Sequence, residues 1–86
     1  MRKAIILYVS KECALCNEVE LMAEDVSEKT KVPLYKINVD EIPDKTETPM
    51  TCVATIRNDK VQIKNDHCFV GWDDYRNRLL ELLARV

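Results

Sequence analysis

The chain has 86 residues, of which 47% are hydrophobic, with 13 basic residues against 15 acidic ones and a net charge of −2. That length suits one domain over residues 1–86 with a modest core, and the hydrophobic fraction excludes a disordered chain. The near-neutral charge argues against a nucleic-acid binder or an anionic-membrane binder, both of which carry a basic excess.

Residues 4–9, Ala-Ile-Ile-Leu-Tyr-Val, form a continuous apolar run rich in β-branched side chains. This pattern predicts a strand covered on both faces. The run is too short for a bilayer span or a secretory core, so a reducing cytoplasm is the expected compartment. After Ser10-Lys11-Glu12, Leu15, Val19, Met22 and Val26 recur at helical spacing. Glu18 and Glu20 stand near the start of this helix and Lys29 and Lys31 at its end, as the dipole favours. Residues 33–39 predict a second strand. Residues 40–47 are polar, include Pro43, and predict a turn or a single helical turn.

A third strand is predicted over residues 50–56, a turn at Asn58-Asp59 and a fourth strand over 61–64. Asn65-Asp66 signals another turn, and residues 67–70 fit a fifth short strand or a loop. Asp73 is placed to cap a last helix whose apolar positions are Tyr75, Leu79, Leu82, Leu83 and Val86. The expected fold class is α/β: a mixed sheet of four or five strands flanked by helices, in the order β-α-β-β-β-α. The first two strands should pair in parallel through a right-handed crossover.

Chemistry points to sulfur. With Gly71 the only glycine, neither a phosphate-cradling loop nor a dinucleotide fingerprint is present. His67 is the only histidine, which makes a triad or a histidine-rich metal site a poor fit. Cys13-Ala14-Leu15-Cys16 falls at a strand–helix junction, where free backbone N–H groups and the helix dipole favour thiolate. Lys11 adds positive charge and Glu12 opposes it. On this reading Cys13 attacks a disulfide and Cys16 resolves the intermediate. The competing reading is a zinc-stabilised, non-catalytic binding module using Cys13, Cys16 and two of Cys52, His67 and Cys68. Cys52, alternating with Met50, Ala54 and Ile56, is expected in the core as a small hydrophobe. Cys68 is open between a strand residue and a third redox thiol.

The segment Tyr8-Val9-Ser10-Lys11-Glu12-Cys13-Ala14-Leu15-Cys16 resembles the active-site segment of glutaredoxins and small thioredoxin-like redoxins. Thr48-Pro49 before a strand resembles their cis-proline site, and Val70-Gly71-Trp72-Asp73-Asp74-Tyr75 resembles the run that opens the last helix of glutaredoxins. The resemblance implies a thioredoxin-like fold with the middle helix shortened or absent, because only eight residues separate Val39 from Thr48. It further implies a thiol–disulfide oxidoreductase that reduces protein or glutathione mixed disulfides, with no bound cofactor or metal and glutathione as a possible co-substrate.

Cys13 and Cys16 would be its catalytic pair, and Pro49 would be cis. The backbone of Thr48 would pair with a cysteinyl peptide, Lys11 would meet a glutathione carboxylate, and Asp74 or Asp73 beside Gly71 would hold the glutamyl amine. The implied partners are disulfide-containing proteins, with glutathione or a thioredoxin-reductase-like flavoprotein as reductant; a monomer is expected. Ala14-Leu15 departs from the Pro-Tyr of glutaredoxins and from the Gly-Pro of thioredoxins. Fifteen residues between Pro49 and Asn65 exceed a two-strand hairpin, which suggests a gained strand.

Overall fold

A computed structural model describes residues 2–39 and 48–86. The strands are β1 (Arg2–Val9), β2 (Leu34–Asn38), β3 (Met50–Arg57), β4 (Lys60–Gln62) and β5 (Cys68–Val70); the helices are α1 (Cys16–Thr30) and α2 (Tyr75–Arg85). The turn expected over residues 40–47, and with it any middle helix, lies outside the described residues.

One mixed five-stranded sheet carries the fold, in the spatial order β2-β1-β3-β4, with β5 also on β3. β1 and β2 pair in parallel, from Ile5↔Leu34 to Val9↔Asn38, and β3 runs antiparallel to β1. Parallel neighbours need a crossover connection, and α1 supplies it.

The apolar run of β1 is explained by cores on both of its faces. Ile5 and Leu7 point to one side, where they pack with Val53 and with Val19, Ala23, Val26, Tyr75, Leu79, Leu82 and Leu83 from the two helices. Ala4 and Ile6 point to the other side, against Cys52 and Ala54. Both described helices therefore cover the same face. The helical stripe is Val19, Ala23 and Val26, with Met22 at its margin. On the helix face, Thr51, fully buried, shares a 2.7 Å hydrogen bond with the Tyr75 hydroxyl. Burial pushes the Tyr75 phenol up to about 12, a rise the Thr51 hydrogen bond only partly offsets.

The β3–β4 turn is as the sequence predicts: Asn58 and Asp59 both adopt positive φ, at 51° and 64°. The surplus residues beyond β4 include the expected fifth strand, β5, as a second segment on the same edge of β3. β4 and β5 both pair antiparallel with β3, at Thr55↔Gln62 and Cys52↔Cys68. Two residues of β3 lie between those pairs, against five on the opposite edge, so three are extra. They form a 3-10 turn at Asn65–His67, and the result is one edge strand interrupted by an insertion.

Candidate active site

Cys13 lies in the loop after β1, and Cys16 is the first residue of α1. The Cys16 amide donates to the Cys13 carbonyl at 3.3 Å and the Cys13 amide to the Ser10 carbonyl at 3.4 Å, folding the loop into consecutive turns. The two sulfurs are joined in a disulfide, with Cα atoms 5.4 Å apart. Their environments differ: Cys13 is half-buried, whereas Cys16 is only 5% exposed. The outer sulfur is thus the accessible one and the inner sulfur is held against the core.

The Thr48–Pro49 peptide bond is cis, as the resemblance implies. Two hydrogen bonds gather the three segments that the sequence singled out. Ser10 Oγ and Thr48 Oγ1 lie 3.0 Å apart, tying the cysteine loop to the proline loop. The Gly71 amide donates to the Pro49 carbonyl at 3.0 Å, tying the proline loop to the start of the last helix. Gly71 stands at φ +101°, and a Cβ there would meet Asp73 Oδ1 at 3.2 Å, so the chain's one glycine sits where its backbone freedom is needed. Ser10 has no assigned role in the sequence reading, although a hydroxyl between a strand and the cysteine pair is the signal that could have given it one.

The cap of α2 falls one residue later than the sequence suggests. Asp74, not Asp73, holds the N-cap position of α2, with φ 51° and no side-chain hydrogen bond to the helix backbone. Its Oδ1 instead accepts from Asn77 Nδ2 at 2.8 Å. Asp73 pairs with Arg78 at 3.1 Å. The left-handed Asp74 sets the helix start after itself, and the Asp73 carboxylate is taken by Arg78. Arg78 also donates to the Val70 carbonyl at 3.2 Å and lies 4.4 Å from the centroid of the Phe69 ring, so it braces this corner. Trp72, 52% exposed, lines a surface concavity of about 510 Å³ with Glu18, Met22 and Asp74. Lys11 is exposed in the cysteine loop.

The remaining cysteines overturn the expectation of a lone core thiol. Cys52 is indeed buried, but it is bonded to Cys68, its register partner across β3 and β5. The cause is a pairing that no local pattern encodes: the three-residue insertion brings Cys68 directly opposite Cys52. Among the described residues, no three His, Cys, Asp or Glu side chains are grouped so as to hold a metal ion, and the ligand cluster of the zinc reading is not assembled there. No helix among the described residues is long and apolar enough to cross a membrane.

No protein-family model matches the chain, and no curated protein does. Solved structures do match over nearly its full length. Thioredoxin from Trichomonas vaginalis aligns with a TM-score of 0.70 at 15% identity, over 98% of this chain and 79% of that one. The germline-specific thioredoxin Deadhead of Drosophila melanogaster gives 0.68 at 19% identity, over 99% and 81%. The periplasmic thioredoxin SoxS of Paracoccus pantotrophus, in its reduced form, gives 0.63 at 14% identity, over 98% of each chain. With the parallel β1–β2 crossover, the cysteine pair at the start of α1 and the cis-proline beside β3, this chain has the thioredoxin fold.

Proposed function

We propose that the protein is a thiol–disulfide oxidoreductase in which Cys13 and Cys16 are the catalytic pair. The observation that carries this reading is the disulfide itself, closed between a half-buried Cys13 and a buried Cys16 at the first turn of a helix. In the reduced protein the Cys13 thiolate, favoured by the free N–H groups of the helix start, attacks one sulfur of a substrate disulfide. A mixed disulfide forms and the substrate's other sulfur leaves as thiolate, taking up a proton. The Cys16 thiolate then attacks Cys13 Sγ, closing the intramolecular bond and releasing the second substrate thiol. Two electrons pass from the dithiol to the substrate.

Thr48, Pro49 and Gly71 supply the wall against which the substrate chain docks, with the Thr48 backbone pairing to it. Protein disulfides are the favoured substrates. Glutathione held by Lys11 and by Asp74 or Asp73 would have to compete with Asn77 and Arg78 for those carboxylates. This pairing favours a flavoprotein reductase over glutathione as the donor that restores the dithiol. A reducing compartment such as the cytoplasm suits this cycle.

Equilibration in glutathione buffers of graded poise, with alkylation and intact-mass measurement, tests the reading. A reversible Cys13–Cys16 disulfide, and a trapped mixed disulfide with substrate in Cys16→Ser, are expected. Thiols that never reoxidise, or full reductase activity in Cys13→Ser, would overturn it. Stoichiometric zinc in protein purified without added metal would favour the binding module instead.

A further inference from the structure

The Cys52–Cys68 bond lies outside the proposed docking wall of Thr48, Pro49 and Gly71, and nothing in exchange at Cys13–Cys16 uses it. β5 is three residues long, and the insertion at Asn65–His67 breaks its continuity with β4. A strand this short contributes few ladder bonds, so its register depends on whatever pins it. Cys68, its first residue, is pinned covalently to Cys52. At its last residue and just beyond it come the contacts that shape the site: Arg78 on the Val70 carbonyl, and the Gly71 amide on the Pro49 carbonyl. A single three-residue segment therefore links the second disulfide to the cis-proline loop.

The two sulfurs are unequally reachable. Cys52 has 0% exposure, whereas Cys68 is half-buried, so an incoming thiolate must attack at Cys68. Cys68 Sγ lies 3.6 Å from the Lys64 carbonyl, which is placed to accept the S–H of a reduced Cys68.

We propose that Cys52–Cys68 is a second thiol-exchange site, opened by low-molecular-weight thiols, and that its closed form latches β5 against the cis-proline wall. A thiolate forms a mixed disulfide with Cys68 and expels the Cys52 thiolate, which takes up a proton. A second thiolate attacks the outer sulfur of that mixed disulfide, releasing Cys68 and a small-molecule disulfide. Two electrons enter the protein. The open form frees β5 and loosens the Gly71–Pro49 contact. The effect on substrate binding rests on the exchange activity proposed for Cys13–Cys16; the opening and loosening do not.

The test uses the full chain carrying Cys13→Ser and Cys16→Ser, in which only the second pair titrates, in buffers of graded glutathione poise. Opening is expected in the native protein, with the glutathione adduct on Cys68 and none on Cys52. On reduction the Gly71 amide should exchange at least tenfold faster while amides of Val19 and Ala23 keep their protection. Opening only in denaturant, global unfolding on reduction, or an unchanged Gly71 amide would each overturn the latch. In the wild-type background, Cys52→Ala with Cys68→Ala should raise KM for a protein disulfide at least threefold and leave kcat toward a small aromatic disulfide within twofold. An unchanged KM there refutes the link to substrate binding. Absence of exchange in the unsubstituted protein would refute the proposed function while the Gly71 amide still reports on the latch.

Discussion

The two disulfides make opposite uses of the same bond. Cys13–Cys16 spans three positions at a helix start, and both its partners belong to one local turn. Cys52–Cys68 spans sixteen, and its partners meet only because β5 pairs with β3. In the first, a half-buried cysteine is joined to a buried one within a site built from three loops. In the second, a sulfur without exposure is locked to one at the sheet edge. Closing a short loop restrains the unfolded chain little, whereas closing a longer one restrains it more. The difference separates a bond suited to turnover from one suited to holding.

The sharpest way to break this contrast is at Cys13, the proposed nucleophile. Cys13→Ser should lower disulfide exchange at least a thousandfold in a turnover assay, whereas Cys52→Ala with Cys68→Ala should leave the chemical step running. Equal losses in the two variants would erase the distinction.

Stability should divide the other way. Loss of the Cys52–Cys68 bond is expected to cost about 3 kcal/mol in urea unfolding under oxidising conditions, and opening Cys13–Cys16 about 2 kcal/mol by the same loop-entropy relation. The difference between wild type and the Cys52→Ala, Cys68→Ala variant should shrink under strong reductant.

The helix face offers a reference that involves no sulfur. Because Tyr75 is pushed up to about 12 in the folded protein from an ordinary value of 10.0, the folded state holds the phenolic proton more tightly than the unfolded chain. The resulting stability is present in full below about pH 10 and is lost progressively as pH rises toward 12, on the order of 2–3 kcal/mol in all. The difference between wild type and Tyr75→Phe in unfolding free energy should show this slope above pH 10 and none below it. Fluorescence-detected unfolding across that range measures it. At lower pH Tyr75→Phe should still cost about 1–2 kcal/mol, since Thr51 loses its buried partner.

The smallest effect is expected at the tie between the cysteine and proline loops. Ser10→Ala and Thr48→Val should each cost about 1 kcal/mol, and the two together little more, because both remove the same hydrogen bond. Additive costs in a double-mutant cycle would show that this contact does not join the loops.

Much of the architecture was legible because its causes are local or periodic. The run at residues 4–9 had no polar alternation, and the structure supplies an apolar partner for each face of β1. Asn58 and Asp59 announced their positive φ by residue type. The cis bond before Pro49 came through the resemblance, since nothing in Thr-Pro dictates it. The exact start of α2 lies one residue later than the sequence suggests, because a left-handed backbone at Asp74 leaves no trace in helical periodicity.

The cysteine pair at the start of α1 could be recognised from four consecutive residues, since a strand followed by an amphipathic helix already sets both sulfurs at one helix terminus. The partner of Cys52 could not. Its identity depends on the register of an edge strand that breaks after Gln62 and resumes at Cys68. Ser10 with Thr48, and Gly71 with Pro49, are likewise pairs far apart in the chain. Local backbone preference and hydrophobic periodicity act over a few residues and so can be read along the chain. Register and loop contacts follow from the packing of the whole sheet, and only the folded protein reveals them.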